Sequence, residues 1–275
     1  MSLGHLQALD EFLTPLHIFD PLLTPQRLVS ECGVSLQQSG LDRGCVNRPT
    51  ILLVDDEASL RQVLRARLTA RGYSIQEASS GEEALRTVPG MRPDVIILDI
   101  GLPGIDGIEV TRRLRPSVQT PIIILSVHAA ESDKIAALDA GANDYLTKPC
   151  DLGELLDRIR TALRPATSNG AGVFTVGDLA VDVNRQVVHV ANEPARLTAT
   201  EYNLLKVLVL NAGRLLTQGR LAKEIWGEKS DDDARQALRT TIKSLRQKLD
   251  TKSSQAGHIA TEPGVGYRLR VTPSD

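Results

Sequence analysis

VIILDIGLPG, residues Val95–Gly104, runs four aliphatic side chains directly into Asp99 and then into a loop of glycine and proline. A continuous apolar run bounded by turn residues is typical of a strand that is covered on both faces in a parallel sheet. An isolated carboxylate buried at the end of such a strand would be costly. The ordinary alternative is a surface aspartate that opens a turn. The other strand ends decide between the two interpretations.

Three further apolar runs also end in polar side chains. ILLVDDE (Ile51–Glu57) ends in acids, PIIILS (Pro121–Ser126) ends in a hydroxyl, and DYLTKP (Asp144–Pro149) ends in a lysine and a proline. The segments between them have apolar residues at helical spacing, and this alternation predicts right-handed βαβ units and a parallel sheet. In such sheets the site lies outside the carboxyl ends of the strands. We therefore expect Asp99 to end its strand at a functional site.

Composition indicates a globular protein with roughly two domains. The chain has 275 residues, of which 41% are hydrophobic and 24% are charged. No apolar run approaches the ~18 residues of a membrane helix, and the three cysteines form no CxxC pair. This cysteine usage suits a reducing compartment, so we expect a cytoplasmic protein. Only the last third of the chain is mildly basic, and any nucleic-acid surface must therefore be local.

Composition also suggests the domain boundaries. Residues 1–49 mix apolar residues with prolines and acids, which argues against a signal peptide and predicts a weakly structured extension. A natural start near Val46 is the alternative. Pro, Ser, Asn and Gly cluster after a helical pattern, which predicts a linker at residues 165–172. One domain then covers residues 50–164 and a second covers residues 173–272.

The second domain has a different pattern from the first. Short alternating segments predict a small antiparallel sheet, followed by a helix that Thr198 or Thr200 caps. A second helix should end at Gly227, and a third should cover roughly residues 232–250, with an apolar stripe on one face and basic residues on others. A basic helix face is usually only solvated. Here three helices precede a glycine-rich hairpin, which is the order of a winged helix.

The motifs together resemble a known family. LVDDE, LDIGLPGIDG, ILS and GANDYLTKP are similar to the receiver domain of a two-component response regulator. LTATEYNLLKVLVLNAGRLLT, LAKEIWG, LRTTIKSLRQKL and TEPGVGYRLR resemble the winged-helix effector of the OmpR/PhoB type. Within that family the sequence is most similar to the Kdp-type regulators of the potassium-transport ATPase operon. The resemblance implies an α/β fold, in which a doubly wound, flavodoxin-like receiver with a five-stranded parallel sheet precedes a winged helix-turn-helix domain.

The resemblance also implies a phosphorylation site. Asp99 would accept a phosphoryl group as an acyl phosphate. Asp55, Asp56 and Asp99, with the backbone carbonyl of Gly101, would bind Mg²⁺, because this hard cation prefers oxygen ligands and keeps several waters.

Further receiver residues have roles that the resemblance implies. Ser126 would hydrogen-bond the phosphoryl oxygen and Lys148 would pair with it as a point charge. Tyr145 matches the aromatic residue that turns inward during the switch, and Pro149 implies a cis peptide bond after Lys148. Cys150 stands where the family usually has phenylalanine, which indicates looser packing under the last receiver helix.

Two interaction surfaces follow from the same resemblance. The recognition helix would lie in the major groove with the wing beside it, and the candidate DNA contacts are Arg239, Thr240, Lys243, Arg246 and Arg268. Activated receivers would form a homodimer through the face made by the fourth helix, fifth strand and fifth helix. Three pairs across the twofold axis would join them: Lys134–Glu154, Asp139–Arg160 and Asp144–Arg158. Asn143 replaces a usual acid on this face.

We therefore expect a DNA-binding transcription regulator that a partner histidine kinase activates by phosphorylating Asp99. It would control potassium-transport genes, act with RNA polymerase, and be no enzyme. One alternative is a phosphate-independent DNA-binding regulator that uses the receiver only for dimerisation. The other is an aspartate-based phosphatase, which would need a second acid two residues after the nucleophile, where this sequence has Gly101.

Overall fold

The computed structural model describes residues 48–163, 172–227, 231–250 and 257–271. The predicted extension at residues 1–49 and the predicted linker at residues 165–172 lie almost entirely outside these ranges. Within the described ranges, none of the helices combines the length and the apolar character that a bilayer crossing requires.

The first half of the described chain is an α/β domain with a parallel sheet. Its strands are β1 (Thr50–Val54), β2 (Ser74–Ala78), β3 (Val95–Leu98), β4 (Ile122–Ser126) and β5 (Asp144–Thr147). Its helices are α1 (Ala58–Thr69), α2 (Gly81–Met91), α3 (Gly107–Leu114), α4 (Glu131–Asp139) and α5 (Leu152–Leu163). The strand order is β2-β1-β3-β4-β5, and all pairings are parallel. The predicted five-stranded, doubly wound receiver fold is confirmed.

The strand order explains why the apolar runs are continuous. Strands β1, β3 and β4 lie inside the sheet, and nearly all of their side chains are buried. Strand β2 lies at the edge, and its Gln76 and Glu77 are exposed. The chain reverses its strand order between β1 and β3, so the residues that follow these two strands lie at the switch point where such sheets bind ligands.

The second half forms a winged-helix domain, which confirms the predicted architecture. It begins with an antiparallel sheet of β6 (Val173–Val176), β7 (Leu179–Asp182), β8 (Val187–Val190) and β9 (Glu193–Pro194). The helices are α6 (Ala199–Leu210), α7 (Gln218–Trp226) and α8 (Asp231–Leu249). The wing sheet has the order β10-β12-β11, with β10 (Leu216–Thr217), β11 (Ile259–Glu262) and β12 (Gly266–Leu269).

A buried acid fixes the start of α6 against α8. Thr198 is the N-cap, and it forms a capping box with Glu201, so it is Thr198 and not Thr200 that caps the helix. Glu201 is buried and accepts hydrogen bonds from Lys248 Nζ and Ser244 Oγ, both at 2.6 Å. Burial favours a raised pKa, but the hydrogen bonds from Lys248, Ser244 and Thr198 outweigh it and lower the pKa of Glu201 to about 2.

Candidate functional site

Carboxylates converge at the carboxyl ends of β1 and β3. Asp55 and Asp99 follow these neighbouring strands directly, and the Asp99 amide donates to Val54 O at 2.9 Å across the pair. Asp55, Asp56 and Asp99 each offer an oxygen, and these three oxygens lie within 4.8 Å of one another. Asp55 and Asp99 are 2% and 7% exposed, whereas Asp56 is exposed, so the cluster is open to solvent on one side.

Two glycines after Asp99 contact it in different ways: Gly101 lies in the loop and Gly107 begins α3. The amide of Gly101 donates to Asp99 Oδ1 at 3.1 Å, which orients the carboxylate. A Cβ atom on Gly107 would lie 2.1 Å from the backbone oxygen of Asp99, so only glycine allows α3 to begin this close to the site.

Lys148 joins the cluster from the end of β5. Its Nζ donates to Asp55 Oδ2 at 2.6 Å and to Asp99 Oδ2 at 2.7 Å. Burial alone would lower the pKa of Lys148, but the two carboxylates outweigh it and raise that pKa. Burial raises the pKa of Asp55, and Lys148 offsets part of that effect. The peptide bond from Lys148 to Pro149 is cis, which confirms that prediction.

The charges of the cluster suit a divalent cation. Three carboxylates face one ammonium group, which leaves an excess of negative charge beside a solvent-accessible acid. Carboxylate oxygens with room for water are the ligands that Mg²⁺ prefers. The donor set therefore fits the predicted metal, with Asp55, Asp56 and Asp99 as its side-chain ligands.

The hydroxyl and aromatic residues predicted for the switch lie on β4 and β5. Ser126 is fully buried at the end of β4, and its Oγ accepts from His128 N at 3.3 Å. Tyr145 is buried on β5, and its hydroxyl donates to His128 O at 2.5 Å. Burial raises the pKa of Tyr145. The loop after β4 therefore links the serine to the tyrosine.

Cys150 is half-buried after the cis bond. Burial raises the pKa of its thiol to about 11, so at neutral pH the thiol is protonated.

The predicted DNA contacts on α8 differ in their availability. Arg239, Thr240 and Lys243 are exposed. Arg246 is half-buried and donates to the backbone oxygen of Ile259 and, at 2.6 Å, to Thr261 Oγ1. Arg246 thus ties the recognition helix to the wing, and its contact with DNA stays a prediction.

Arg268 occupies a position that the sequence did not suggest. It is 8% exposed, and its guanidinium forms a bidentate pair with Asp144, which is 4% exposed and is the first residue of β5. The same guanidinium donates to Gly213 O at 3.0 Å. Arg268 therefore joins the wing to the receiver here, and the predicted contact between Arg268 and DNA requires this pair to separate.

The predicted dimer face is engaged by the winged-helix domain of the same chain. Asp139 accepts a hydrogen bond from Thr217 at 2.7 Å, and Lys134 lies 4.0 Å from Glu262. The backbone amide of Leu215 donates to Asn143 O at 3.1 Å. Residues of α5 pair along their own helix, in the pairs Glu154–Arg158 and Asp157–Arg160. The predicted pairs between protomers can form only if most of these contacts within the chain are broken. The pairs between protomers stay predictions.

The apolar part of the interface reaches the switch tyrosine. Leu215, which precedes β10, and Val265, in the turn before β12, belong to the same cluster of buried apolar side chains as Tyr145. Strand β10 packs against α4. At Gly264, in the wing turn with φ of 72°, a Cβ atom would lie 2.0 Å from Glu131 of α4, so glycine permits the close approach. We call this arrangement, with β5 and α4 covered by the wing, the closed arrangement.

Comparisons with known proteins agree with both halves. Residues 51–160 match the family described as "Response regulator receiver domain", and residues 192–269 match "Transcriptional regulatory protein, C terminal". The KDP operon transcriptional regulatory protein KdpE of Escherichia coli (strain K12) is 43% identical over 221 residues, covering 80% of this chain and 98% of that protein. The transcriptional regulatory protein KdpE of Mycobacterium tuberculosis (strain CDC 1551 / Oshkosh) is 40% identical over 222 residues, with the same coverage.

A solved structure also matches both domains. It is the response regulator DrrB, an OmpR/PhoB homologue of Thermotoga maritima, which is 26% identical, with a TM-score of 0.43 and coverage of 81% of this chain and 99% of that chain. The identity of 43% to a curated regulator over 98% of its length shows the family. The chain belongs to the two-component response regulators of the OmpR/PhoB type, with a receiver domain followed by a winged-helix DNA-binding domain.

Proposed function

We propose that Asp99 is the phosphoryl acceptor of a regulator that a histidine kinase activates. The observation that carries this proposal is the convergence of Asp99 with Asp55, Asp56 and Lys148 at the open end of the sheet. An oxygen of the Asp99 carboxylate attacks the phosphorus of the kinase phosphohistidine. The new P–O bond replaces the P–N bond, and imidazole leaves.

The neighbouring residues have separate roles in this transfer. Asp55, Asp56 and Asp99, with the backbone carbonyl of Gly101, would hold Mg²⁺, which would neutralise charge on the incoming phosphoryl group. Lys148, already 2.7 Å from Asp99, pairs with a phosphoryl oxygen after the transfer. Ser126 donates its hydroxyl hydrogen to another phosphoryl oxygen.

Phosphorylation is then coupled to the dimer face through the loop after β4. When Ser126 turns toward the phosphoryl group, it changes the loop at His128, whose backbone oxygen holds the Tyr145 hydroxyl. Tyr145 lies in the apolar cluster that includes Leu215 and Val265 of the closed arrangement. A change at Tyr145 therefore releases the wing, and Lys134, Asp139 and Asp144 become free to pair with a second protomer.

The released domains bind promoter DNA as a homodimer. Arg239, Thr240 and Lys243 on α8, with Arg246, contact the major groove, and Arg268 on the wing reaches the adjacent minor groove or phosphates. Two direct-repeat half-sites about one helical turn apart are the expected operator. KdpE proteins are among the relatives, which supports potassium-transport genes as the regulated genes, with RNA polymerase as a further partner in the cytoplasm.

Radiolabelled phosphotransfer tests the acceptor. Asp99→Asn should abolish acid-stable, hydroxylamine-sensitive labelling from a small-molecule phosphodonor with Mg²⁺, and Asp56→Ala should block it by removing a metal ligand. Asp157→Asn, on an exposed side chain far from the cluster, is the matched control and should label like the parent. Full labelling of the Asp99→Asn protein would refute the assignment.

Beryllofluoride separates this proposal from the phosphate-independent alternative. With Mg²⁺ it mimics the acyl phosphate, so it should convert the parent from monomer to dimer in sedimentation experiments. It should have no effect on the Asp99→Asn protein. A parent that dimerises equally without beryllofluoride would favour the alternative.

A further inference from the structure

A cavity of about 170 Å³ lies between the two domains, beside the Arg268–Asp144 pair. Residues of β5 and α5 line it on the receiver side, and the loop after α6 lines it on the other. The polar residues among its lining are Asn143, Asp144, Arg158, Thr161, Asn211 and Arg214. An apolar cavity of ~150 Å³ is large enough to take up benzene, so this one has room for a small ligand.

Two guanidinium groups in the lining have unused hydrogen-bonding capacity. The Nε atoms of Arg158 and Arg214 are buried, and neither has an acceptor within the described part of the chain. Arg158 Nη2 donates to Glu154 Oε1 at 3.2 Å on the exposed side of α5. Its Nε is 3.5 Å from Asp144 Oδ2, which is an ion pair without a hydrogen bond, and Arg268 already engages that carboxylate. Arg214 makes one long contact, from Nη1 to Asn211 Oδ1 at 3.5 Å. A buried N–H without an acceptor is costly, so the site favours an acceptor.

The surroundings of Arg214 are strongly positive. Burial and the charges of Arg214 and Arg220 lower the pKa of Arg115 to about 10, and burial and Arg220 lower that of Arg214. Arg115 donates to three backbone oxygens and to Asn143 Oδ1. Over the described ranges, no carboxylate forms an ion pair with any of these three arginines. Asp144 is the one acid in the cavity lining, and Arg268 neutralises it.

We propose that this cavity binds a small oxyanion, with inorganic phosphate as the simplest form, held by Arg214 of the winged-helix domain and Arg158 of the receiver. Guanidinium groups match the geometry of phosphate oxygens, and a buried anion would supply the missing acceptors. Asn143, Asn211 and Thr161 offer further polar groups to orient it. A cavity of this size between two domains has no room for duplex DNA, so the ligand is a free anion.

The proposed site is separate from Asp99 and has its own consequence. The ligand contacts both domains, so it binds the closed arrangement and not the separated domains. By linkage, the anion stabilises the closed arrangement and opposes DNA binding. The concentration of a free anion would then set how readily the regulator opens.

Equilibrium dialysis of radiolabelled inorganic phosphate against the full unphosphorylated chain, in chloride buffer, tests the site. We expect saturable binding of one phosphate per chain, and competition by sulfate. Arg214→Gln should weaken binding about tenfold or more, as expected for loss of a charged hydrogen-bonding partner. Arg158→Gln, on the receiver side of the cavity, should weaken phosphate binding by a similar factor. It replaces Arg214→Gln as the test if that variant does not fold. Arg71→Gln removes the same charge from an exposed position of the receiver outside the cavity lining, and should bind like the parent.

Several outcomes would overturn the proposal. One is the absence of saturable binding at millimolar phosphate. Another is an equal loss in Arg214→Gln and Arg71→Gln, which would indicate general attraction to positive charge on the protein. A third is unchanged phosphate affinity in Val265→Gln, which places a neutral polar group in the apolar contact of the closed arrangement, outside the cavity lining, and should separate the domains. Adenosine monophosphate is the second probe: tighter binding than inorganic phosphate would identify the phosphate of a larger molecule as the source, and equal or weaker binding would support the free ion.

Discussion

The pair between Arg268 and Asp144 provides the sharpest test of the closed arrangement. In Asp144→Asn the guanidinium of Arg268 would remain buried without its counter-charge whenever the domains are closed. When the domains separate, water solvates the same guanidinium, so the penalty falls on the closed arrangement alone. Removing one partner of a buried ion pair costs about 3–5 kcal/mol. The ratio of closed to open protein should therefore fall by roughly two to four orders of magnitude.

Hydrogen exchange at one amide reports this ratio directly. Leu215 N donates to Asn143 O across the interface, so its hydrogen exchanges when the domains separate. We expect exchange at Leu215 in Asp144→Asn to be faster by the factor above, up to the rate of an unprotected amide. The amide of Leu208, inside α6, should be unchanged, because α6 does not depend on the interface. Asp157→Asn is the control variant, since this acid is exposed and, among the residues that the structure describes, forms an ion pair with Arg160 alone.

Two results would refute the reasoning. If Leu215 exchanges at the same rate in Asp144→Asn and in the parent, the ion pair does not hold the domains together. If Leu208 accelerates as much as Leu215, the variant has lost the fold of the winged-helix domain and not only the interface.

Three further predictions concern the folded domain, DNA and the dimer. Glu201→Gln should lower the free energy of unfolding by about 2–4 kcal/mol at pH 7, as measured in urea titrations. Because the folded pKa of Glu201, about 2, lies below its unfolded value, the difference between variant and parent should shrink as pH falls from about 5 toward 2. Lys243→Gln should weaken DNA binding, and if the lost contact is to phosphate, the slope of log K against log salt should shrink by ~0.9; an unchanged slope and affinity would remove Lys243 from the interface. Glu154→Lys should abolish dimerisation on phosphorylation without affecting Asp99 labelling, and adding Lys134→Glu should partly restore it in sedimentation experiments.

The sequence predicted the receiver strands whose residues are buried on both faces. Strands β1, β3 and β4 are continuous apolar runs because helices cover both sides of the sheet centre. Strand β2 was not located, since it lies at the sheet edge, where Gln76 and Glu77 face solvent and interrupt the pattern. The convergence of Asp55 and Asp99 was predictable, because parallel strands end at the same edge.

The contacts between the domains could not be predicted in this way. Arg268 and Asp144 are 124 residues apart, and neither lies in a pattern that distinguishes a buried pair from two surface charges. Position on the wing suggested a DNA contact for Arg268, and the spacing along α8 suggested the same for Arg246. Packing between elements decided both: Arg246 folds back on Ile259, and Arg268 enters the receiver face. Periodicity reports which face of an element is buried, but it does not report which distant charge a side chain meets.

The wing in the closed arrangement and the second protomer in the proposed dimer would use the same face of the receiver, and this limits how phosphorylation could act. In the closed arrangement Lys134 and Asp144 have charged partners within the chain and Asp139 has the Thr217 hydroxyl, and the proposed dimer offers each of the three a charged partner. The partly exposed Lys134 pair contributes only ~0–1 kcal/mol in either arrangement, whereas the buried pair of Asp144 with Arg268 favours the closed one. The intramolecular contacts also have the advantage of a high effective concentration. The proposed phosphorylation would therefore act chiefly by weakening the closed arrangement. Tyr145 is where it could do so, because this side chain contacts the loop after β4 and also belongs to the apolar cluster that the wing completes.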